Sequence, residues 1–99
     1  MPHTYILKCG DGSFYVGSAR NLDERVAQHQ AGLGGSYTAK RQPVSLVFAE
    51  EHERIDDAYS REKQLQGWSR AKRQALIESR FSDLPELSRS RARSDTGSE

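Results

Sequence analysis

One cysteine, one tryptophan, one methionine and three prolines are all that this 99-residue chain holds of those types. The lone Cys9 excludes a disulfide framework and a cysteine-based zinc site. Long apolar runs are missing too. The longest, around Val44 to Ala49, is far short of the roughly 20 residues that cross a bilayer. The N-terminus has no basic segment followed by a long apolar one, as a signal peptide requires. Nor is there an excess of one charge: the formal net charge is +1, which permits nucleic-acid binding without demanding it. At 34% apolar, the chain has few hydrophobic positions to spare. These shortages leave one small cytoplasmic domain with a modest core, expected to be a monomer with no membrane partner.

What is present is unevenly laid out. Residues 1–81 carry twelve Lys/Arg and ten Asp/Glu, against three and four in 82–99. Thr4–Cys9 and Phe14–Gly17 are rich in β-formers and flank the turn-forming Gly10-Asp11-Gly12-Ser13, which predicts a hairpin. Asn21 with Glu24 three residues on resembles a capping box, so a helix is expected from Leu22 to a stop at Gly32. Val44–Ala49 predicts a third strand with a nearly continuous apolar character. Asp56-Asp57 suits a helix N-terminus, so a second helix is expected over Ile55–Gln66, with Gly67 as its break. Ser69 would cap a third, reaching about Ser79. The predicted fold is α+β: a three-stranded, mainly antiparallel sheet packed with helices in the order ββαβαα. It occupies residues 1–81, and the Ser/Arg-rich 82–99 forms a mobile tail with too little apolar surface to offset ordering.

Polar residues interrupt the helical patterns. Leu22, Val26 and Leu33 mark an apolar stripe on the first helix; His29 falls inside it and Arg25 on its edge. On the second helix, with Ile55 as zero, Tyr59 lies at about 40° and Glu62 at about −20°, in mid-stripe. A buried carboxylate is costly without a cation or metal. Two readings are open: a structural Arg25–Glu62 ion pair with His29 hydrogen-bonded nearby, or a functional site. In a hairpin, Tyr5 and Tyr15 share a sheet face, so both could face the helices that carry Arg25 and Glu62.

These residues resemble the GIY-YIG endonucleases, in particular their small stand-alone YhbQ-like bacterial branch. The first motif matches loosely as His3-Thr4-Tyr5 and the second closely as Tyr15-Val16-Gly17; Ala19-Arg20-Asn21-Leu22 with Arg25 looks like the family's helix entry. The resemblance spans Thr4 to about Leu76 and places Arg25, His29 and Glu62 at the family's arginine, its His/Tyr position and its metal-binding glutamate. It implies divalent-metal-dependent hydrolysis of DNA phosphodiesters, with Mg²⁺ or Mn²⁺ on Glu62 and with Tyr5, Tyr15, Arg25, His29 and Glu62 as catalytic residues. A cation and a guanidinium facing one phosphate form a clamp for the charge that gathers there. Two positions depart from the pattern: His3 replaces the first motif's glycine, and Ser18 stands where some members carry a lysine. Tyr15 or His29 would then serve as the base.

Outside these motifs, Tyr37, Lys40 and Arg41, after the glycine-rich 32–36 loop, are expected to touch substrate. Arg70, Lys72 and Arg73 are expected to hold the nucleic-acid backbone. His3 and His52 lack metal-ligand spacing and are expected at the surface. Trp68 reads as a packing anchor between helices. The leading expectation is an endonuclease in DNA processing or repair. The alternative is a nucleic-acid-binding module that keeps the constellation without cutting, and a partner-binding domain is a weaker third.

Overall fold

The computed structural model describes residues 1–82. Strands β1 (His3–Lys8) and β2 (Phe14–Ala19) form the predicted hairpin, with Tyr5 opposite Gly17 and Leu7 opposite Tyr15. Its turn is closed by Asp11, whose carboxylate accepts hydrogen bonds from the Ser13 amide at 3.0 Å and hydroxyl at 2.6 Å. Strand β3 (Ser45–Glu51) pairs antiparallel with the other side of β1, giving the order β2-β1-β3. A register irregularity between Ile6 and Leu7 brings Phe48 opposite the first and Leu46 opposite the second.

Helix α1 (Leu22–Gln30) begins as expected, the Asn21 side chain accepting from the Glu24 amide at 3.1 Å. A one-turn helix α2 (Ser36–Ala39) follows within the loop region, where no helix was predicted. Helix α3 (Ile55–Gln66) has its predicted bounds. Helix α4 (Arg70–Ser82) starts with the Lys72 amide donating to the Ser69 hydroxyl at 3.2 Å. The predicted ββαβαα order therefore holds, with α2 added. Two compact units divide the chain, Met1–Trp68 and a second beginning at Ser69. The expected tail lies outside the described residues, apart from Ser82 at the end of α4.

Strand alternation gives the sheet two different faces. Tyr5, Leu7 and Cys9 join Ala19 and Val44 in a buried cluster, against which Tyr15, Leu22 and Val26 pack; this is the α1 face. The alternate residues Thr4, Ile6, Phe14 and Val16 are buried on the other face, where α3 packs on β1 and β2. There the Thr4 hydroxyl donates to the Ala58 carbonyl at 2.9 Å. Tyr5 and Tyr15 do share a face, as predicted, but the two helices lie on opposite faces. The expectation that the tyrosines face both is corrected by the parity of β1 and β2.

Three apolar assignments are corrected as well. Leu33 is 78% exposed, because α1 ends before it and the stripe cannot continue. Tyr59 is 51% exposed rather than in the core. On β3 only Phe48 is buried and Leu46 is 41% exposed, as suits an edge strand rather than one covered on both faces.

Candidate active site

The innermost part of the site is a buried chain of three polar side chains. Tyr5 from β1, His29 from the last turn of α1 and Thr38 from α2 are each at most 2% exposed. The Tyr5 hydroxyl lies 3.0 Å from His29 Nε2, and the Thr38 hydroxyl 2.8 Å from Nδ1. Both nitrogens of the imidazole are thus engaged by hydroxyls, one accepting from its N–H and the other donating to its bare nitrogen. Two glycines make room. A Cβ at Gly17, opposite Tyr5, would lie 2.5 Å from the Tyr5 hydroxyl, and one at Gly34 would collide with the His29 ring. Burial, reinforced by the field of Arg25, holds the His29 pKa below its ordinary value. Burial also pushes the Tyr5 phenol far up, helped by Tyr15 and Glu62 and opposed by Arg25. At neutral pH the buried chain carries no charge.

Tyr15 extends this cluster towards solvent. Its ring centroid lies 5.0 Å from that of His29 and 5.8 Å from that of Tyr37. Tyr37 and Arg41 join this end of the sheet to the hairpin turn. The Tyr37 hydroxyl donates to Ser13 Oγ at 2.9 Å, while Arg41 stacks 3.9 Å over the Tyr37 ring and meets Asp11 at 3.1 Å. The Gln42 amide donates to the carbonyls of His29 at 2.7 Å and Thr38 at 2.9 Å, locking α2 against the end of α1. Lys40, at the C-terminal cap of α2, is exposed.

Glu62 comes from the other sheet face and meets the site at the β2 edge. Its Oε1 accepts from the Ser18 hydroxyl at 2.6 Å and its Oε2 from Gln66 Nε2 at 2.9 Å. Arg25 projects from the exposed side of α1 and has no carboxylate within 4.0 Å among the described residues. The structural Arg25–Glu62 ion pair left open by the sequence is therefore not formed. Both charges nevertheless reach one phenol. Burial raises the Tyr15 pKa and Glu62 raises it further, while Arg25 pulls it down.

Glu62 is a partly buried carboxylate whose two oxygens have only neutral donors among the described residues, and each oxygen keeps a lone pair for another ligand. No group of three or more His, Cys, Asp or Glu converges as a cage among the described residues. A single carboxylate beside a hydroxyl suits a hard cation that retains most of its water, such as Mg²⁺.

Other sequence candidates fall elsewhere. Arg70, Lys72 and Arg73 lie in the first turns of α4, in the second compact unit. His52, expected at the surface, is partly buried, 3.1 Å from the Thr4 hydroxyl and 3.4 Å from a Glu50 carboxylate that also accepts from Arg61. His3 is partly buried as well. Trp68 lies beneath the Arg61 guanidinium, 5.3 Å from its ring centroid. Thr38 and the link between Ser18 and Glu62 were missed. Nothing periodic marks a threonine in a glycine-rich loop, and Ser18 registered only as the absence of a lysine.

A tyrosine pair on a hairpin, an arginine helix behind it and a glutamate helix at its edge define a class of catalytic domain. Residues 1–75 match the GIY-YIG catalytic domain, and the chain belongs to that family. Among its relatives is the UPF0213 protein of Staphylococcus aureus strain Mu3, 42% identical over 76 residues, which cover 77% of this chain and 93% of the relative. The solution structure of the UPF0213 protein BH0048 from Bacillus halodurans is similar at a TM-score of 0.54 and 31% identity, covering 91% of this chain and 95% of that one. The solution structure of EF2693 from E. faecalis matches at a TM-score of 0.56 and 30% identity, covering 82% and 86%. Among the described residues, no helix is long and apolar enough to cross a membrane.

Proposed function

We propose that this protein is a divalent-metal-dependent endonuclease that hydrolyses phosphodiester bonds in DNA. The observation that carries the proposal is the convergence on β2 of the Tyr15 ring, 5.0 Å from that of His29, with Ser18, whose hydroxyl holds the Glu62 carboxylate at 2.6 Å; the charges of Arg25 and Glu62 act on the same phenol. A phosphodiester under attack gathers negative charge on its nonbridging and departing oxygens. Arg25, exposed and without an ion pair among the described residues, meets that charge with a guanidinium fork. Glu62, with Ser18 beside it, would hold Mg²⁺ or Mn²⁺, which when bound supplies positive charge for the leaving oxygen.

The raised pKa of Tyr15 keeps its proton in place at neutral pH. Its part is to orient the attacking water through its hydroxyl oxygen; as that water bonds to phosphorus and the P–O bond to the leaving oxygen breaks, the water's proton passes to bulk solvent. His29 is wholly buried with both nitrogens engaged, so it acts through Tyr5 and Tyr15 as a positioning residue rather than by touching substrate. Tyr37, Lys40 and Arg41 border the tyrosine end, and Arg70, Lys72 and Arg73 add phosphate contacts from α4.

The test is incubation of the full chain with labelled single-stranded, branched and duplex DNA, with Mg²⁺, with Mn²⁺ and with chelator. Products are expected only with metal. Arg25→Ala should lose cleavage while keeping most of the DNA binding. Binding without products under every condition would replace the nuclease by a non-cleaving nucleic-acid-binding module.

A further inference from the structure

Between α1 and α3, at the C-terminal end of β2, lies an open groove of about 320 Å³ whose lining includes Ser18, Asn21, Arg25, Gln28 and Tyr59. Tyr59 is 51% exposed, and its ring meets no other aromatic ring among the described residues. One exposed ring on a surface is ordinary. This one borders a groove that also holds the guanidiniums of Arg20 and Arg25, neither in an ion pair among the described residues, the Glu24 carboxylate and two side-chain amides, so the lining keeps a net positive charge. A flat ring for stacking, a cation for phosphate and amides for polar base edges form the chemical set that recognises a nucleotide. The volume lies at the small end of ligand sites, which run from about 300 Å³ upward. It matches a single nucleotide-sized ligand.

The geometry points to Tyr59 as the stacking platform for the base of one unpaired nucleotide beside the phosphate that Arg25 holds. The substrate is then single-stranded or flapped DNA rather than continuous duplex. A base inside a duplex has both faces covered by its neighbours and offers none to Tyr59. Tyr59 and Glu62 are three residues apart on α3, so they rise from the same side of the helix, one turn from each other. Ser18, which lines the groove, is the residue bonded to the Glu62 carboxylate, so the base site and the carboxylate share a wall. This inference rests on the nuclease reading of the same site and adds its substrate class.

The test is fluorescence anisotropy of the full chain in chelator, with a labelled single-stranded DNA oligonucleotide and a blunt duplex of equal length, alongside cleavage assays in Mg²⁺. The parent should prefer the single strand. Tyr59→Ala should weaken single-strand binding by about tenfold and leave the weaker duplex binding nearly unchanged, while Tyr59→Phe and Tyr59→Trp keep the parental affinity. An oligonucleotide with its bases replaced by abasic sites should bind parent and Tyr59→Ala alike. Equal single-strand affinity of parent and Tyr59→Ala, or equal losses on both DNAs, overturns the platform. Loss of the stacking effect with metal-dependent cutting intact removes the platform and leaves the nuclease. A clear stacking effect without cutting does the reverse, and absence of any DNA binding removes both.

Discussion

Glu62 and His29 break their helical stripes in opposite ways. Glu62 is partly buried and held by neutral donors, with no guanidinium as partner among the described residues. Glu62→Gln keeps an oxygen to accept from Ser18 and leaves no cation stranded. The variant is therefore expected to lose metal-dependent cleavage and metal-induced thermal stabilisation, yet to melt within a few degrees of the parent without metal. Breaking a buried ion pair would instead cost about 3–5 kcal/mol, and a loss of that size in metal-free melts would contradict the assignment. His29 makes a prediction about pH. Burial, with a smaller contribution from Arg25, holds its folded-state pKa below the unfolded value of about 6.5. The unfolded chain then binds the proton more readily, so this contribution is present above that pH and is lost as pH falls below it. One such group gives a slope of at most about 1.4 kcal/mol per pH unit. Denaturant melts between about pH 5 and 7 should show a shallower slope for His29→Gln, whatever its absolute stability; an unchanged slope assigns the dependence elsewhere. Periodicity picked out both residues because ionisable groups on an apolar stripe are conspicuous. It misplaced Tyr59, since an aromatic inside a stripe looks the same whether it meets a core or a groove.

Elements were most legible where local chemistry marks their ends. Asn21 begins α1 with the hydrogen bond its sequence implied, and α3 runs between the acidic pair Asp56-Asp57 and Gly67. Helix α2 was not legible. Its four residues are too few for a periodic signal, and its place is fixed by distant partners: His29 through Thr38, and Asp11 and Ser13 through Arg41 and Tyr37. At the start of α4, Arg70, Lys72 and Arg73 place three cations within four residues. Neutralising all three is expected to weaken DNA binding across sequences and reduce the slope of affinity against salt, because fewer counterions are released. Titrations at several salt concentrations check this, and an unchanged slope would remove α4 from the interface.

At the scale of the whole molecule, the strand and helix order could be read from the chain, but the assignment of helices to sheet faces could not. Alternation showed that Tyr5 and Tyr15 share a face; it carries no information on which helix covers that face, because connections on either side satisfy the same pattern. Only the folded sheet shows Glu62 arriving from the opposite side, at the open edge of β2.

The assembly at that edge has a consequence for folding. Its side chains come from β1, β2, α1, α2 and α3, every element of Met1–Trp68 except β3, and β3 is paired to the strand that carries Tyr5. Positions as remote in sequence as Tyr5 and Glu62 must be brought together before any chemistry is possible. No fragment or half-folded intermediate could assemble the set, so a nascent or partly opened chain would be inert. Activity should vanish in the same cooperative step that dismantles the sheet.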